Sequence, residues 1–196
     1  AMSEKDVDTY LNEMLSVKEK YKDRIQIKIG FEYDYLPKHT AWTKQFLQEY
    51  GKYCDTGILS VHYLEGLDGW HCIDYRAEDT LEGIVNYYGS TEEFQLAYYD
   101  LVKQSIVEDL GPKKPNRIGH MTLCNKFKQF LQCEETEMVK NKQLELLTIV
   151  KENNFILDYN TAGLYKPYCG EAYPPDHVLH LAKSLKINFM YGSDAH

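Results

Sequence analysis

An α/β fold with a parallel sheet is what this sequence predicts, and three observations predict it. Segments with apolar residues at helical spacing alternate with short runs rich in β-branched and aromatic residues, five such strand runs recur along 196 residues, and nearly every one hands over to Glu, His or Asp. Helix and strand in alternation favour parallel pairing with right-handed crossovers over a sandwich. An open doubly wound sheet satisfies that alternation too. Closing the sheet into a barrel also accounts for the polar strand ends, because a barrel points all of its strand ends at one centre, where such enzymes keep their chemistry.

Taken in order, Val7, Tyr10, Leu11 and Met14 recur at helical spacing and predict an amphipathic helix over 6–21. Ile25, Ile27 and Ile29 alternate as a strand that ends at Gly30, just before Glu32. A helix follows over 41–50 with Phe46, Leu47 and Tyr50 to pack, then a strand over 57–62 whose carboxyl end carries His62. Between 65 and 90 the pattern dissolves into glycine, acidic and aromatic residues, too long for a plain connection, which makes this excursion a lid candidate.

Helical spacing returns over 92–110 through Phe94, Ala97, Tyr98, Leu101 and Val102, and Gly111-Pro112 stops it. A short strand over 117–120 ends in His120. Leu144, Leu147 and Val150 predict a helix over 140–152, and 155–160 is a strand with Asn160 at its end. Pro174-Pro175-Asp176 opens the last helix, which turns Val178, Leu181, Ala182 and Leu185 inward. The final run, Ile187 to Tyr191, stops at Gly192 and then presents Asp194 and His196, which alternation puts on one side.

The formal charge of −8 excludes a general affinity for nucleic acid or anionic membranes, since neither finds a basic face. No apolar run approaches the roughly twenty residues that span a bilayer. Five scattered cysteines, with no pair at zinc-knuckle spacing, fit reduced thiols in a cytoplasmic protein. The length suits one domain over 1–196 but falls short of the roughly 250 residues of a full barrel. Together with an ending inside a strand-end site, this sets the expectation of an incomplete barrel.

Glu32, His62, His120, Asp194 and His196 stand at four strand ends, and a mixture of imidazole and carboxylate is what zinc, manganese or iron takes. A lone strand-end His is more often a hydrogen-bonded structural residue than a ligand; the conjunction favours a metal centre. His177 and His180, three apart on the last helix, flank its apolar stripe and read as surface residues. His39 and His71 lie in a turn and in the excursion, and Cys124 and Cys169 read as packing residues.

Gly30-Phe31-Glu32, Ser60-Val61-His62, Gly119-His120, Asn160-Thr161-Ala162-Gly163-Leu164 and Gly192-Ser193-Asp194-Ala195-His196, in this order, resemble the polymerase-and-histidinol-phosphatase family, closest to its histidinol-phosphate phosphatase branch. The resemblance implies a distorted (β/α)7 TIM-like barrel with up to three divalent metals, here lacking its first strands and closing helix. It implies that Glu32 bridges two metals, that His62 and His120 join it on one, that Asp194 binds the second and His196 the third. It also implies phosphate contacts from Lys126 and Lys166, with Arg117 behind them, while Asn160 at its strand end reads equally as orienting a ligand or a water and as capping a turn. The family's opening His-x-His strand and the two histidines that follow it have no match in this chain. Only the Glu32, His62 and His120 site therefore has all of its expected ligands.

The implied reaction is metal-assisted hydrolysis of a small phosphate monoester, histidinol phosphate above all. Clustered cations also explain how an acidic protein binds a phosphate. Two alternatives stand beside it: another phosphoesterase of the same family, including its nuclease-like members, and a metal-binding module without activity. A basic stripe with stacking aromatics, which long nucleic acids require, is missing.

Overall fold

The computed structural model describes residues 2–195. In chain order the regular elements are α1 (Val7–Tyr21), β1 (Gly30–Asp34), α2 (Thr40–Tyr50), β2 (Thr56–Ser60), a hairpin of β3 (Tyr63–Gly66) and β4 (Gly69–Cys72), and α3 (Ala77–Thr80). A π-helical stretch, Leu81–Val85, continues into α4 (Asn86–Tyr88). Then come α5 (Thr91–Val107), β5 (Arg117–Ile118), α6 (Lys128–Leu131), α7 (Glu137–Glu152), β6 (Ile156–Asn160), α8 (Asp176–Ser184) and β7 (Phe189–Gly192).

The two long helices start where their sequences supply caps. Ser90 accepts the Glu93 amide at 3.1 Å and Thr136 the Val139 amide at 3.2 Å, each satisfying a donor that the first helical turn leaves open. Phe94, Tyr98 and Val102 of α5 and Val139, Leu146, Leu147 and Val150 of α7 enter one core with Leu59, Ile118 and Leu157 of the sheet. A hydrogen bond of 3.0 Å from Gln143 to the Tyr99 hydroxyl ties the two helices across it.

Five strands pair in the order β1-β2-β5-β6-β7, all parallel, so every carboxyl end lies on one edge of the sheet. The sheet is linear among the described residues, with β1 and β7 at its two edges. No helix among those residues is long and apolar enough to cross a membrane, and all five cysteines are free thiols.

Two elements differ from expectation. The strand expected at Ile25 to Ile29 begins at Gly30 instead, because its partner begins at Thr56. Ile29 bonds to Asp55 and Thr56 outside the ladder and packs with Val7 and Leu11, while Ile25 is exposed, so the alternation reflects one buried contact. Glu32 is therefore inside a strand rather than after one.

The expected irregular excursion at 65–90 is the β3–β4 hairpin followed by the helical run over 77–88. Asp68 and Gly69 both have positive φ and make the tight reversal. Its strands are four residues each, too short for their alternation to stand out.

Candidate metal centre

Side chains alternate along a strand, so Tyr33 of β1 enters the core while Glu32 and Asp34 share the opposite side. His62 lies two residues beyond β2 and His120 two beyond β5. Parallel pairing of these three strands brings Glu32, His62 and His120 together, with one ligating atom from each lying within 4.8 Å of the others. The structure thus brings three of the expected site residues together.

His120 Nε2 is 3.0 Å and His62 Nε2 3.7 Å from the same Glu32 Oε1, and the two rings stand 4.6 Å apart. Two ligands about 2.1 Å from one tetrahedral ion lie roughly 3.4 Å apart, so these spacings already suit a shared cation. The set of two imidazoles and one carboxylate leaves a fourth position open, as hydrolytic metal sites do. On spacing and chemistry the residues fit a transition metal.

Supporting contacts hold Glu32 and His62 in place. The Ser60 hydroxyl donates to Glu32 Oε1 at 2.6 Å. Gly119 makes room for it: a Cβ there would lie 2.1 Å from Ser60 Oγ, so glycine before His120 lets β5 close against β2. His62 turns Nδ1 to the Asp34 carboxylate. The hairpin also serves the site, since Ile73 donates its amide to the His62 carbonyl at 2.9 Å and carries Asp74 toward the ring. Lys126 pairs with Asp74 at 3.0 Å.

Burial works against ionisation of Glu32, but the hydrogen bond and charge of His120, the Ser60 hydroxyl and the charge of His62 outweigh it and hold its carboxyl at about 2. Burial would depress His62; the Asp34 hydrogen bond and the charges of Asp34, Glu32 and Asp74 raise it instead above the ordinary histidine value. A raised folded pKa contributes stability that is fully present below the unfolded value, roughly 6.5, and lost as pH rises through the folded one. In chelator, the melting-temperature gap between wild type and His62→Gln should thus be wider at pH ~5.5 than at pH ~9. Added zinc should reverse that order, since metal takes only the deprotonated ring. Thermal melts at both pH values check this, and a gap that ignores pH would contradict it.

The other expected site residues are placed differently. Asp194 is exposed after β7, where Asn160, itself buried, donates to its Oδ2 at 3.2 Å; it does not join the three-residue group. His196 lies outside the described residues. Lys166 is exposed on the loop after β6. Arg117 is buried against Asp158 and donates to the Tyr191 carbonyl at 3.2 Å.

His177 bonds Glu135 at 2.7 Å on the surface, and His180 is exposed. His39 is exposed, and His71 bonds the Leu67 carbonyl within the hairpin. Cys124 and Cys169 are buried packing residues, as expected. Sequence reasoning passes over Asp34, Ser60 and Asp74, although the spacings Glu32-x-Asp34 and Ser60-x-His62 signal two of them.

No family model matches the chain. It is 37% identical, over all 196 residues, to a protein of Bacillus subtilis named histidinol-phosphatase, of which it spans 73%. It is 30% identical over 187 residues to a protein of Deinococcus radiodurans proposed to be a histidinol-phosphatase, of which it spans 64%. Among solved structures, a proposed histidinol phosphatase from Listeria monocytogenes superposes with a TM-score of 0.97 at 48% identity, over 99% of this chain and 72% of that one. With these likenesses running through the strands that carry Glu32, His62 and His120, the chain belongs to the histidinol-phosphatase family.

Proposed function

We propose that this chain is a metal-dependent phosphatase that hydrolyses L-histidinol phosphate to L-histidinol and phosphate, a step of histidine biosynthesis. The observation that carries this reading is the convergence of Glu32, His62 and His120 from three parallel strands in a member of this family. We further assign the chain, as one domain, to the polymerase-and-histidinol-phosphatase group, its five parallel strands corresponding to five of the seven in that group's distorted barrel.

A bound metal supplies a Lewis acid for the phosphoryl oxygens and a water acidic enough to attack near neutral pH. Glu32 contributes the negative charge that draws cations to the strand ends, and Ser60 keeps its Oε1 turned toward the two rings. His62 and His120 contribute neutral nitrogen donors. Asp194 and His196 are proposed as ligands of further ions, zinc, manganese or iron.

Lys126 is the basic residue we assign to the phosphate. Its ammonium is bound to Asp74, whose charge bears on His62, so it lies beside the proposed metal group. Asn160 and Lys166, at the end of β6 and on the loop after it, are assigned to the remainder of the ligand. Arg117, buried with Asp158 within the sheet, is not.

Purified protein, loaded in turn with zinc, manganese and iron(II), should release phosphate from histidinol phosphate faster than from a nucleoside monophosphate of equal concentration. Chelation should abolish that release. Equal rates on the two substrates would reject the specificity, and chelator-resistant hydrolysis would reject the metal.

A further inference from the structure

Asp34 leaves β1 on the same side as Glu32, two residues further on, and its carboxylate faces His62 Nδ1. The other nitrogen of that ring, Nε2, faces Glu32 Oε1. An imidazole that donates Nδ1–H to a carboxylate keeps its lone pair on Nε2. The nitrogen left able to bind a cation is thus the one turned toward Glu32 and His120.

His120 is oriented by other means. Its Nε2 also faces Glu32, yet its Nδ1 is buried with no hydrogen-bond partner, and the residue is only 3% exposed. Packing holds this ring, helped by the fully buried Tyr98, whose hydroxyl donates to the His120 carbonyl at 3.4 Å. Of the two imidazoles, only His62 has its Nδ1, the nitrogen turned away from Glu32, held by a carboxylate. The Asp34 side chain is 37% exposed, and ion pairs that wet contribute little to stability, so its contact with His62 is poorly suited to a purely structural purpose.

We propose that Asp34 is a positioning residue of the metal centre. By accepting Nδ1–H it fixes the His62 tautomer and ring plane, and so presents Nε2 to the ion that Glu32 and His120 share. The proposal rests on the metal reading above and adds to it a residue that touches neither metal nor substrate. It also explains why Asp34 and Glu32 stand on one strand at a spacing of two: a single strand then aims both a ligand and the group that orients another ligand.

The test uses Asp34→Asn and Asp34→Ala in the full chain with two readouts. The first is the nitrogen-15 NMR signature of the metal-free protein at alkaline pH. Wild-type His62 should carry its proton on Nδ1, and both variants should move it largely to Nε2, because an amide can turn its N–H to Nδ1 and alanine offers no acceptor. The His120 signals serve as an internal control and should stay in place.

The second readout is zinc and manganese affinity, by competition with a chromophoric chelator. Both variants should bind about 10–100-fold more weakly, the usual cost of losing an outer partner of a metal-bound histidine. At alkaline pH, where the ring is neutral, the melting temperature of the metal-free protein should change little. Variants that bind metal as tightly as wild type, or a His62 that keeps Nδ1–H without Asp34, would overturn the inference and leave the metal reading standing. A wild-type protein that takes up no metal would overturn both.

Discussion

Replacing Glu32 by Gln should strip the protein of metal and of phosphatase activity while leaving it folded. Gln keeps the shape of Glu and can still accept the Ser60 hydroxyl hydrogen bond of 2.6 Å. What it loses is the charge: the Glu32 carboxyl, held at about 2, is fully ionised at neutral pH and is the anionic member of the three-residue group. Two neutral imidazoles alone leave an ion short of a ligand and uncompensated. The loss of activity should therefore exceed the roughly 100-fold upper end seen for outer-shell partners. Folding should survive, because the side chain is 37% exposed and the core of β1 is Tyr33 on the other side. Metal content by mass spectrometry, phosphate release and a thermal melt are the three measurements. A variant with full metal and full activity would remove Glu32 from the centre.

Glu32, His62 and His120 are legible as candidates in the sequence because each follows an apolar run that reads as a strand, and such runs do not hand over to His or Glu without cause. The helices α5 and α7 are legible in their apolar stripes, and their exact starts lie in the caps Ser90 and Thr136, which no apolar pattern marks. Other features depend on long-range pairing. Where β1 begins is decided by Thr56, twenty-six residues beyond Gly30, and not by the three alternating isoleucines. The hairpin hides in strands of four residues whose purpose, fastening His62 and delivering Asp74, exists only in three dimensions. Asp34 stands in plain view, but its partner is a ring nitrogen twenty-eight residues away. Arg117 shows the converse: basic residues near a strand end invite assignment to an anionic ligand, and only the position of Asp158 shows that this one is already neutralised.

That pair supports the second large effect. Asp158 is 3% exposed and Arg117 is 9% exposed, with Nε of the guanidinium buried and unpartnered and its other contacts made to the Tyr191 carbonyl and Met190 sulfur. Asp158 is thus the counter-charge of a buried cation that nothing else on these contacts neutralises. Gly192 is part of the same arrangement, because a Cβ there would come 2.4 Å from Asp158 Oδ1 and 3.0 Å from Arg117 Nη2. The glycine that closes β7 is accordingly a requirement of the pair beneath it. Removing one partner of a buried pair costs about 3–5 kcal/mol, since the other charge is left without compensation. Asp158→Ala should lower the melting temperature by on the order of 10 °C in a chain of this size. Adding Arg117→Met should recover much of that loss by removing the stranded cation. Metal content per folded chain should be unchanged throughout, because neither residue belongs to the group of Glu32, His62 and His120. Urea titration, metal analysis on the folded fraction and a phosphate-binding titration test this: intact stability with impaired phosphate binding in Asp158→Ala would mean that Arg117 serves the ligand after all.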